Sequence, residues 1–109
     1  MKARPVVPRQ QAVRDIEEAV AWNLDQGAGP AALGFIDAVE QTFELISRSP
    51  AAGSPRYAHA LNLPGLRCWP LARYPYLVFY VEGEEHVDVW RVLAAPRDIP
   101  VWLQAAEPG

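Results

Sequence analysis

The sequence predicts an α+β domain, and three observations predict it. Two amphipathic helical repeats are joined by a short glycine-bearing break, three strand-like runs follow them consecutively, and helix never alternates with strand. The expected order is βααβββ: an N-terminal strand, a helical hairpin packed on a small antiparallel sheet, and a short C-terminal helix or tail. With 109 residues the chain fits one domain, 1–109, because a second would be too small to bury a core.

The elements follow in order. Val6-Val7 lies between Pro5 and Pro8, and proline cannot donate to a ladder, so this run is a short edge strand. Val13, Ile16, Val20 and Leu24 then recur at helical spacing, with Arg14, Asp15, Glu17 and Glu18 on the other faces. Gly27 and Gly29 stop that helix, and Pro30 suits the first turn of the next. Ala32, Ile36, Val39, Phe43 and Ile46 make the second stripe, which ends at Pro50. Ala51 to Gly65 reads as a loop. Three strands follow, over 66–71, 76–81 and 86–93. In the second, Leu77, Phe79 and Val81 alternate with Tyr76, Val78 and Tyr80. Gly83-Glu84-Glu85 suits the last hairpin turn, and residues 97–106 the closing helix.

Composition excludes several classes. Half of the residues are hydrophobic and 21% are charged, which is a folded rather than a disordered balance. No apolar run approaches the ~20 residues of a membrane span, and Met1 to Pro5 opens no signal-peptide core. Cys68 is the only cysteine, so no internal disulfide forms and a reducing, cytoplasmic setting is expected. His59, His86 and Cys68 show no ligand spacing, and neither a dinucleotide glycine pattern nor a phosphate loop is present; no metal or cofactor is expected. Ser47, Ser49 and Ser54 suit caps and turns, and Cys68 suits a buried strand position.

Charge is the feature that points to a partner. The net charge is −3, yet residues 9–47 carry seven acids against Arg9 and Arg14, whereas residues 45–81 carry Arg48, Arg56, Arg67 and Arg73 and no acid. Such segregation steers binding more than it stabilises a fold. Strand alternation puts Arg91 beside Val87, Val89 and Leu93 unless a bulge intervenes. It then either pairs with an acid such as Asp98, or snorkels past the sheet edge, or joins a cationic patch interleaved with Trp69, Tyr74 and Trp90.

Three strings give these observations a family. Leu63-Pro64-Gly65-Leu66-Arg67-Cys68-Trp69-Pro70-Leu71, then Arg73-Tyr74-Pro75-Tyr76-Leu77-Val78-Phe79-Tyr80, then Val87-Asp88-Val89-Trp90-Arg91-Val92-Leu93 with Arg97-Asp98-Ile99, in the order βααβββ, resemble the ParE/RelE toxin superfamily on its ParE side. The resemblance implies the toxin of a bacterial type II toxin–antitoxin pair. Such a toxin inhibits DNA gyrase by binding, without catalysis, and a ParD-like antitoxin neutralises it with a flexible C-terminal segment. It implies no membrane partner and no sequence-specific nucleic-acid binding. Target contacts are then expected at Arg91, Arg97 and Trp102, with help from Arg67 and Arg73. Antitoxin contacts are expected at Trp22, Phe35, Arg56, Trp69 and Tyr80, large or charged groups taken to remain partly exposed. RelE-like relatives cut mRNA on the ribosome with a Tyr or His near the C-terminus. This chain has no Tyr after Tyr80 and no His after His86, and arginine alone stays protonated. The family commonly reads Arg-Val-Leu-His-Gly-x-Arg-Asp where this chain reads Arg91-Val92-Leu93-Ala94-Ala95-Pro96-Arg97-Asp98, so an attenuated toxin that keeps only antitoxin binding is the third reading.

Overall fold

The computed structural model describes residues 3–94. In chain order they form β1 (Val6–Pro8), α1 (Gln10–Asp25), α2 (Gly29–Arg48), a 3₁₀ turn (Pro50–Ala52), α3 (Arg56–Ala60), β2 (Leu66–Pro70), β3 (Tyr76–Glu82) and β4 (Val87–Ala94). The expected α+β architecture is present, with α3 added inside the segment read as loop. The expected closing helix lies outside the described residues.

Local chemistry sets the helix ends. Arg9 is extended and its N–H donates to Val89 O at 2.9 Å, which anchors the start of α1 to the sheet. Gly27 turns the chain out of α1 with φ of 72°, a left-handed conformation that costs glycine little. Pro30 then sits in the first turn of α2, where its missing N–H is no loss.

The buried line of α1 differs from the predicted stripe. Val13 and Leu24 are exposed, while Ala12, Asp15 and Ala19 are buried and Ile16 and Val20 pack beside them. Small residues at intervals of three and four let α1 lie close to its neighbours, and size prevailed over hydrophobicity. In α2 the buried residues are Ala32, Phe35, Ala38, Val39, Thr42 and Ile46, with Phe43 at the margin.

The sheet runs β1-β4-β3-β2. β2, β3 and β4 are antiparallel as expected, and β1 joins β4 in parallel, so the four-stranded sheet is mixed. Alternation along β3 holds. Val78 and Tyr80 face the core under α1 and α2, with Tyr76 packed against it. Phe79 lies in a second cluster on the opposite face, with Leu77 and Val81 against it. A bulge interrupts β4, because Tyr80 pairs with Val89 and Phe79 with Arg91, leaving Trp90 without an opposite residue. The phase therefore changes along one strand: Val87, Val89 and Val92 join the helix-facing core, while Leu93 and Trp90 join the other cluster.

The β2 edge is closed to further pairing, and the β1 edge is only three residues long. On β2, Leu66 N–H donates to Leu63 O, Cys68 N–H donates to Ser54 O, and Pro70 has no N–H. On β1, Val6 packs against the core, Val7 is exposed, and Pro8 likewise has no donor.

Candidate functional site

The end of β4 is built around a buried ion pair. Arg91 is only 4% exposed, and its Nε and Nη2 donate to the two carboxylate oxygens of Asp15 at 2.8 and 2.9 Å. Asp15 Oδ2 also accepts the N–H of Val92 at 3.0 Å. One carboxylate on α1 thus holds the bulged strand through both a side chain and the backbone. Planar bidentate pairing fixes direction as well as distance, so the pair sets how β4 leaves the sheet. The carboxylate was expected on a face of α1 away from the apolar stripe, and it instead pairs with Arg91; Asp98, the acid named as a partner for Arg91, lies outside the described residues.

A groove opens above this pair, between α1 and the strand ends, lined by Glu18, Ala19, Trp22, Tyr76 and Ala94. Trp22 is 62% exposed there. The other expected target residues do not gather at this place. Arg67 is half-buried and its Nη1 donates to Gly53 O at 2.8 Å, tying β2 to the loop after α2. Arg73 is exposed, with φ of 74°, beside Gly34, Asp37 and Gln41 of α2. Arg97 and Trp102 lie outside the described residues.

The expected antitoxin contacts are also dispersed. Phe35 and Tyr80 are fully buried, so the exposure assigned to them does not hold. Phe35 meets Tyr74 and Tyr76 edge-on with ring centres 5.5 and 4.9 Å apart, and Tyr80 donates its hydroxyl to Pro50 O at 2.6 Å. Burial pushes the Tyr80 phenol up to about 12. Trp69 packs against the helix-facing core, Trp22 stands on α1, and Arg56 lies on α3 across the sheet.

That opposite face carries groups the sequence did not single out. Arg56 stacks on the Tyr57 ring with its guanidinium carbon 4.8 Å from the ring centre, and Arg9 stacks on Trp90 at 4.6 Å. Asp88 holds the second stack together. It accepts Arg9 Nε and Nη2 at 3.0 and 2.7 Å and the Trp90 indole N–H at 3.2 Å. Tyr57 also meets Phe79 edge-on at 5.4 Å, which seats α3 on the sheet. Arg9 gave no sequence signal because Asp88 and Trp90 lie at the far end of the chain, and Tyr57 gave none because its seat on the sheet, Phe79, is also non-local.

Among the described residues no cluster of His, Cys, Asp and Glu could hold a metal ion, and no helix is long and apolar enough to cross a membrane. Arg4, Arg9, Arg48, Arg56, Arg67 and Arg91 are each held by a carboxylate, a carbonyl or a ring.

The fold is thus a helical hairpin on a mixed sheet whose β4 carries a bulge. Among solved structures the chain is similar to one described as the chromosomal ParDE toxin–antitoxin system from P. aeruginosa, with TM-score 0.73 and 14% identity over 86% of this chain and 98% of that one. No curated protein matches at the sequence level. The family model of the ParE toxin of the type II toxin–antitoxin system parDE matches residues 6–99, and the chain belongs to that family.

Proposed function

We propose that this chain acts in the cytoplasm as a toxin that inhibits DNA gyrase by binding, and that a ParD-like antitoxin neutralises it. The observation that carries the reading is the family match over residues 6–99, which spans the hairpin, the sheet and the strand exit held by Asp15 and Arg91. The titratable groups support binding over RNA cleavage. A ribonuclease needs a proton acceptor near neutral pH, whereas the last tyrosine, Tyr80, is buried, hydrogen-bonded to Pro50 O, and holds its proton to about 12.

The test is a supercoiling assay with purified gyrase beside a translation assay with mRNA mapping. Loss of supercoiling with intact mRNA is expected, and codon-phased cleavage of mRNA would overturn the reading. Replacing Ala94-Ala95 by His-Gly, the usual family residues, should raise growth inhibition at equal protein level. Unchanged inhibition would mean that these two positions do not govern toxicity.

A further inference from the structure

We infer that the antitoxin docks on the sheet face opposite α1 and α2, across a strip formed by Arg56, Tyr57, Leu77, Val81, Trp90 and Arg9, and that the docking segment is acidic with apolar anchors. The inference rests on the antitoxin reading above and adds the place and the chemistry.

Backbone comes first. A partner strand cannot extend the sheet at β2, where every outward N–H is used or absent, and β1 is short and flanked by prolines. Recognition is therefore left to side chains on a face. Charge then separates the two faces. The hairpin exposes Glu17, Glu18, Asp25, Asp37, Glu40 and Glu44 against Arg14 and Arg48, and Arg48 is already engaged by Glu44. An acidic segment is repelled there. On the opposite face Asp88 is occupied by Arg9, while Arg56 has no carboxylate partner among the described residues.

Anchoring groups are ready on the same face. Leu77, Val81, Tyr57 and Trp90 are half-buried around fully buried Phe79, so they present apolar area without being free to collapse. The two guanidinium–ring stacks fix Tyr57 and Trp90 before any partner arrives. Aromatic and arginine side chains held in advance lose little freedom on binding and are the usual carriers of binding energy. A flexible tail needs such anchors to offset the entropy of its own ordering.

The experiment uses the full chain and its cognate ParD-like antitoxin, titrated calorimetrically, with hydroxyl-radical footprinting of the wild-type complex. Arg56→Glu, an exposed substitution, should raise Kd about tenfold or more, while Trp22→Ala on the hairpin changes it less than about twofold. The antitoxin should protect Tyr57 and Trp90 from radical labelling and leave Trp22 open. An unchanged Kd for Arg56→Glu, with protection at Trp22 instead, overturns the inference and places the antitoxin on the hairpin. Protection of Tyr57 and Trp90 by gyrase but not by antitoxin overturns it too, and makes the strip a target surface. Absence of any binding by the wild-type chain removes the antitoxin reading itself, a result separable from a misplaced site.

Discussion

The two faces of the sheet are closed by different means. Under α1 and α2, polar groups pin the packing at set points: Asp15 on Arg91 and Val92, the Tyr80 hydroxyl on Pro50 O, and the Tyr74 hydroxyl on Ala31 O at 2.9 Å. Across the sheet, α3 is one and a half turns long and rests on ring and apolar contacts, with stacked arginines at its margins. Hydrogen bonds fix direction, whereas apolar contact tolerates sliding. The first face is thus the hydrogen-bonded frame, and the second seats α3 by packing around ring stacks that are already set.

Removing a pin tests that contrast most severely. Asp15→Ala strips the carboxylate from Arg91 and Val92 N–H together and should cost about 3 kcal/mol or more in urea denaturation. Replacing both partners, Asp15→Leu with Arg91→Met, should recover most of that loss, because a matched apolar pair leaves no buried charge. A small effect of Asp15→Ala would mean the hairpin is held by apolar packing alone.

Next in size is Gly53→Ala. A Cβ at Gly53 would overlap the Tyr80 hydroxyl, so the loop or the ring must move, at about 2 kcal/mol. The hydroxyl is the nearest atom, so a Tyr80→Phe background should relieve part of this cost.

On the second face, Tyr57→Ala should cost about 1.5 kcal/mol by removing its edge contact with Phe79. Amide exchange should quicken over residues 56–66 while α1 stays protected. Equal quickening in α1 would show that the two faces form one cooperative unit.

The smallest effect is a pH dependence. Burial raises the Tyr80 phenol from 10.0 to about 12, so the folded state favours the protonated form more than the unfolded chain does. That contribution is complete below pH 10 and is lost as pH rises toward about 12. The Cys68 thiol is raised by burial as well, partly offset by Arg56 and Ser54, and adds a loss of the same sign above pH 9. Tyr80→Phe should flatten the stability profile above pH 10, and an unchanged slope would assign the alkaline loss to other groups.

Much of the fold was legible because it rests on local pattern. Glycine, proline and periodicity placed β1, both long helices, the strands and the last turn. Three features were not legible, for reasons of chain distance. The bulge at Trp90 changes which β4 residues face inward, and alternation counted along one strand cannot register a partner's offset. Asp15 looks like any helix-face acid until Arg91, 76 residues away, is brought to it. Phe35 and Tyr80 resemble contact aromatics, yet Tyr74, Tyr76 and Pro50 close over them. Charge segregation was visible from the start, but only the layered structure turns an acid-poor stretch of sequence into a face.

The blocked β2 edge bears on how such a protein diverges from its relatives. Strand addition reads the backbone, which every sequence shares, and so admits many partners. At β2, Ser54, Leu63 and the donor-less Pro70 deny that route, so a partner there must fit particular side chains. If the antitoxin docks on the exposed strip as proposed, a single exchange there would separate one toxin–antitoxin pair from its neighbours, and a compensating exchange in the partner would restore the match. On that proposal, insulation between coexisting pairs would be written in a few surface positions, and the scaffold beneath them need not change.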